Sequence, residues 1–144
     1  MKRLASALVL SLLLVGLTAG PALAKAEKTD LVTYGPVVYG PVVGSVIFNN
    51  PSGPDNLGLT VQLKKVTPDT AYDIYLFVDG WASGTGIVLG TVTTNVVGNA
   101  TFHANTIVTP GLHTVAIDVT LAGSGSDLYV TPGLYGQDLS LTFK

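Results

Sequence analysis

The side chains of this 144-residue chain that could do chemistry are few: His103, His113 and a scatter of aspartates. Cysteine is absent, which excludes a thiol nucleophile. The one glutamate, Glu27, lies near the polar start of the mature chain. A serine triad needs a histidine beside an acid and a serine, and neither a Gly-x-Ser-x-Gly elbow nor a His-Glu-x-x-His pair occurs. Acid–base turnover needs positioned groups; with so few of them, the expectation is no enzyme and no catalytic residue.

The histidines read as unrelated. His103 alternates with Thr101 and Asn105, away from Phe102 and Ala104, and so faces solvent. His113 opens a strand on its apolar face, and two histidines fall short of a four-ligand zinc set. Calcium is the one cofactor the loops keep open, through oxygen ligands from Asp79 (Asp79-Gly80), Asp127 (Gly123-Ser-Gly-Ser-Asp127) and Asp55 (Asp55-Asn56). Turn-forming aspartate explains the same positions. Trp81, between Asp79-Gly80 and Ala82-Ser83-Gly84, is a loop tryptophan. It either stacks on a ligand such as a sugar, with Tyr34 and Tyr39 as further aromatic candidates, or plugs one end of the core. Asn99-Ala-Thr101 is an N-glycosylation sequon at an expected turn.

The start of the chain says where such groups would work. Lys2 and Arg3 precede a nearly unbroken aliphatic run, Leu4 to Leu17, and Ala22-Leu23-Ala24 is a small-x-small cleavage site. That order is a secretory signal peptide over residues 1–24, removed to leave Lys25 first. The aliphatic run is shorter than the roughly 20 residues that a membrane span needs. Cleavage leaves five basic side chains (seven less two) against nine acidic ones, a formal net charge of −4 with no arginine. Nucleic-acid binding, which needs clustered Lys and Arg, is excluded. The expected location is secreted, extracellular or cell-surface, with membrane contact only before cleavage. About 120 residues then remain for one domain, which must be stable without disulfides.

The elements that position these groups read as strands. Short β-favouring runs near 44–49, 58–66, 71–79, 87–94, 99–105, 112–121, 127–131 and 138–143 are separated by Gly, Pro, Asn and Asp. No helical period of apolar residues follows the signal. Within 71–79, Tyr72, Ile74, Leu76 and Val78 share one face, with Asp73, Tyr75, Phe77 and Asp79 on the other. A face with both acids and aromatics is partly covered, as on a central strand. Within 112–121, His113, Val115, Ile117, Val119 and Leu121 oppose Thr114, Ala116, Asp118 and Thr120. Residues 25–30 read as a polar, mobile leader. A repeat, Tyr34-Gly-Pro-Val-Val38 and Tyr39-Gly-Pro-Val-Val43, reads as extended chain at a sheet edge, its five-residue period placing Tyr34 and Tyr39 on opposite sides. Val96-Val97-Gly98-Asn99 reads as a hairpin tip. Val108-Thr-Pro-Gly-Leu112 recurs as Val130-Thr-Pro-Gly-Leu134, with Pro-Gly fitting a type II turn.

Val66-Thr-Pro68-Asp-Thr70-Ala-Tyr72-Asp-Ile74-Tyr-Leu76 resembles the corner of fibronectin type III and related immunoglobulin-like domains. The resemblance covers residues 66–76. It implies a tyrosine corner in which Tyr72, with Pro68 upstream, ties its hydroxyl back to nearby backbone. A fibronectin module has one strand after this corner; here five more follow. The expected architecture is all-β: a single antiparallel β-sandwich of immunoglobulin-like type with about 7–8 short strands over 44–144, preceded by an extended segment, 25–43. The expected role is a secreted, non-catalytic structural, adhesive or envelope-associated protein, partnered by itself or by an extracellular polymer. Two alternatives stand beside it. One is a filament subunit donating residues 31–49 to a neighbour's sheet edge; the other is a carbohydrate-binding module centred on Trp81.

Overall fold

The alternation of apolar and polar residues becomes an all-β fold. The computed structural model describes residues 26–35, 39–49, 55–80, 86–132 and 139–143. Among them are nine strands: β1 (Glu27–Thr33), β2 (Val42–Asn49), β3 (Leu57–Leu63), β4 (Ala71–Val78), β5 (Ile87–Thr93), β6 (Ala100–Thr106), β7 (Gly111–Leu121), β8 (Asp127–Val130) and β9 (Leu139–Phe143). All pairings are antiparallel. The order is β5-β4-β7-β8-β1-β2-β3-β6, with β9 also paired to β7. The 11-residue β7 explains that branch, since its first half pairs with β9 and its second half with β8. The ends of the order, β5 and β6, come back near each other, so the sheet curls almost into a barrel.

One core fills the inside of the curl. Leu31, Val46, Phe48, Leu59, Val61, Tyr72, Ile74, Leu76, Val115, Ile117, Val119 and Phe143 are buried there together. The inward faces expected within 71–79 and 112–121 supply six of these residues, although Leu121 at the end of β7 is exposed. Burial of each large aliphatic side chain contributes about 1.5–3 kcal/mol. The Asn56 side chain closes one end. Its Nδ2 donates to the Val108 carbonyl (2.6 Å) and its Oδ1 accepts from the Val108 N–H (2.7 Å), satisfying two buried backbone groups.

Four expectations need correction. Residues 27–30 are not leader: Glu27–Thr33 is a strand, laddered to β2 along its length and to β8 at Val32 and Thr33. Lys28 and Asp30 point outward and Leu31 inward, so the charges conceal an ordinary strand alternation. The Tyr-Gly-Pro repeat is not an edge strand, because β1 ends at Thr33 and β2 begins at Val42. Its described residues form the connection, tied by Gly40 N–H to the Thr33 carbonyl and by Tyr34 N–H to the Leu128 carbonyl. Freed from strand alternation, Tyr34 and Tyr39 pack on the same cluster rather than on opposite sides.

The turn at 94–99 forms, with Asn95 Oδ1 accepting from the N–H groups of Val97 and Asn99. Its flanking strands diverge, however: β5 ladders to β4 and β6 to β3, at opposite ends of the sheet order. Gly98 fits this turn at φ +76°, and a Cβ there would overlap the Val66 carbonyl. Finally, the Tyr72 hydroxyl is fully buried and no described backbone group bonds it, so the tie expected of a tyrosine corner is not made; the polar side chain it meets is Tyr129. Its ring packs instead against Tyr129, centroids 5.7 Å apart. Pro68 contributes only a carbonyl that accepts from Thr70 Oγ1. Residues 1–24, Trp81, the middle of the Tyr-Gly-Pro repeat and Gly133-Leu134 lie outside the described residues.

Candidate functional site

The outer face of β4, β7 and β8 carries the unusual chemistry. Register sets Tyr75 opposite Asp118, Asp73 opposite Thr120 and Phe77 opposite Ala116. Across the other side of β7, Asp127 stands opposite Thr120 and Val130 opposite Asp118. A face turned away from the main core would ordinarily be wet. This one is covered: Val32, Phe77, Ala116 and Val130 form a second apolar cluster with Tyr34, Tyr39 and Tyr75 packed on it. The Tyr39 hydroxyl fastens that cover by donating to the Pro132 carbonyl at 2.8 Å.

Asp118 is trapped at the edge of this cluster. It is only 2% exposed, and its Oδ1 has no hydrogen-bond partner among the described residues. Burial, followed by the charge and hydrogen bond of the neighbouring Asp127 carboxyl, pushes its pKa up to about 8. The two carboxyls border a cleft of about 280 Å³ whose wall also includes Tyr75, Phe77, Gly86, Thr120 and Gly125. Gly86 is a spacing requirement, since a Cβ there would sit 2.6 Å from the Phe77 ring. Among the described residues no lysine or arginine lines the cleft. Lys64 and Lys65 border a separate groove of about 640 Å³ with Asn95 and Asn99. The sequon residue Asn99 is exposed beside that groove, its Oδ1 accepting from the Lys65 N–H.

The other expected site residues separate. Asp79, in the left-handed region at φ 58°, lies at the end of β4. Its Oδ2 is 2.6 Å from His113 Nδ1, and its Oδ1 accepts from the Thr114 N–H. This pairing holds the Asp79 pKa below its ordinary value and raises that of His113. Asp79 is therefore bonded beside Thr114, whereas Asp127 is opposite Thr120. Six residues along an extended strand put these aspartates about 20 Å apart. Asp55, exposed, precedes β3. The structure does not gather Asp79, Asp127 and Asp55 as one calcium set, and no cluster of three or more metal-ligating side chains occurs among the described residues.

The two histidines do differ as expected. His103 is exposed, 3.0 Å from Thr60 Oγ1, while His113 reaches into the protein beside Phe143. Asp73, on the outer face of β4, accepts from Thr91 Oγ1 (2.6 Å) and the Gly123 N–H (3.0 Å), and both bonds lower its pKa. Sequence reasoning placed Asp118 on the correct face but did not single it out. The available signal was an acid at the centre of an 11-residue strand, beside a neighbour strand whose matching face carries Tyr75 and Phe77. No known protein family, curated protein or solved structure matches this chain.

Proposed function

We propose that the chain is an exported, non-catalytic β-sandwich protein of immunoglobulin-like type, with a structural or adhesive role at the cell envelope or outside the cell. The observation that carries this reading is the employment of its polar side chains. His113 and Asp79 fasten each other and the start of β7; Asp73 fastens β5 and the β7–β8 turn; Asn56 closes the end of β3. Groups that an enzyme would present to substrate are here occupied in pinning backbone. The sandwich reading takes β5-β4-β7-β9 and β1-β2-β3-β6, joined through the short β8 in one continuous sheet around one core, as its two layers. Export rests on residues 1–24. The test is intact mass combined with fractionation. The reading expects a chain beginning at Lys25 in the envelope or medium, and an unprocessed chain kept inside the cell overturns it.

Strand donation is a second reading, favoured by how β1 is held. It makes ladders to both neighbours and buries Leu31 and Val32, yet it joins β2 only through the proline-bearing repeat. A neighbour's β1 could make the same contacts. Removing residues 25–33 and supplying a peptide of residues 27–33 tests this. Donation expects the peptide to restore stability and the intact protein to assemble. Single chains throughout would end the idea.

A further inference from the structure

Beyond a structural role, the outer face holds an electrostatic arrangement that the described residues do not complete. Asp118 lines the cleft and is nine-tenths buried and more, its Oδ1 has no hydrogen-bond partner among the described residues, and the second carboxyl, Asp127, is adjacent. Buried carboxyls are ordinarily paired with a cation or fully hydrogen-bonded, yet among the described residues no basic side chain lines this wall. The remaining wall includes the rings of Tyr75 and Phe77. Two acids beside two aromatic rings suit one ligand chemistry in particular. An ammonium group can donate to carboxylate oxygens and lie against ring faces at once.

We infer that the Asp118–Asp127 cleft binds an ammonium group, either that of a small amine or that of a lysine side chain on a partner protein. A hard divalent ion suits the wall less well. Calcium takes six to eight oxygen ligands, and here two carboxyls and the Thr120 hydroxyl meet aromatic carbon. A neutral sugar would leave the carboxyl pair without a counter-charge. The volume, about 280 Å³, accommodates an alkylammonium group but is small for a drug-sized ligand.

The experiment is a titration of the purified protein at constant pH, followed by calorimetry and by NMR shifts of the Thr120 and Gly125 amides. The probes are n-butylamine, Nα-acetyl-lysine methylamide, the matched neutral alcohol 1-butanol, calcium chloride and glucose. Butylamine or the lysine derivative should bind about tenfold or more tighter than butanol, with dissociation constants in the millimolar range. Asp118→Asn and Asp127→Asn should each lower that affinity about tenfold, the second variant guarding against a folding effect of the first. Preference for the lysine derivative points to a partner's side chain, and equal binding of butylamine points to a small amine. Amine binding no tighter than alcohol, binding unaffected by both variants, or binding of calcium or glucose alone overturns the inference.

Discussion

Replacing Asp118 by asparagine should stabilise the protein, and do so only when the solution is not acidic. The Asp118 carboxyl has its pKa raised from 3.8 to about 8, first by burial and then by Asp127. A raised carboxyl pKa means that the fold prefers the protonated form. Its stabilising contribution is fully present below the unfolded value near 3.8 and is lost as pH rises through about 8. At 1.36 kcal/mol for each pH unit between 3.8 and about 8, the ceiling is about 6 kcal/mol. Proton sharing with Asp127 and water entering the cleft reduce this to about 2–3 kcal/mol. Asparagine stays neutral at every pH, and its Nδ2 can donate to Asp127. In a domain of this size, the variant should melt about 10 °C above the parent near pH 9 and within a few degrees of it near pH 4. Differential scanning calorimetry of both proteins across that range gives the difference directly. Titration of Asp73, Asp79 and His113 is common to both and cancels. A difference that stays constant with pH, or a variant less stable than the parent near pH 9, would refute the reasoning.

Three further outcomes follow from other contacts. His113 should titrate above 6.5 in the folded protein and return toward that value in Asp79→Asn, as read from imidazole proton shifts. The pair's stabilising effect is then lost as pH rises through the raised His113 value and lost again as pH falls through the lowered Asp79 value. Asn56→Ala should cost about 2–4 kcal/mol in urea unfolding, because it leaves both the N–H and the carbonyl of Val108 buried without partners. Tyr72→Phe should be neutral or stabilise by up to about 1 kcal/mol, since among the described residues the buried hydroxyl has no hydrogen bond of good geometry and only the Tyr129 side chain beside it. A loss above that size would mean that the hydroxyl is bonded.

What the sequence discloses about this fold is local, and what it conceals depends on distant segments. Strands β2 to β9 follow from period-2 alternation between turn-forming residues, so their existence is legible within three residues of their ends. β1 hides because Glu27, Lys28 and Asp30 look like a solvated leader, and only pairing with β2 and β8 makes them a strand. The pairing of His113 with Asp79 joins residues 34 apart in the chain, each noticed singly. Burial of Asp118 is hidden for the same reason. Its register partners Tyr75 and Val130 belong to a cluster on which Tyr34 and Tyr39 also pack, from a connection whose geometry their spacing does not reveal. The tyrosine-corner resemblance predicts the strand and the burial of Tyr72, but the hydroxyl's bond depends on upstream backbone that the short match does not determine.

At the centre of the account, each chain closes its own sheet with its own β1. Light scattering behind size exclusion, on the purified protein lacking residues 1–24 over a wide range of concentration, tests this most directly. The account predicts the mass of one chain at every concentration. Polymers that grow with concentration and vanish on deletion of residues 25–43 would contradict it, and would place β1 in the sheet of a neighbour.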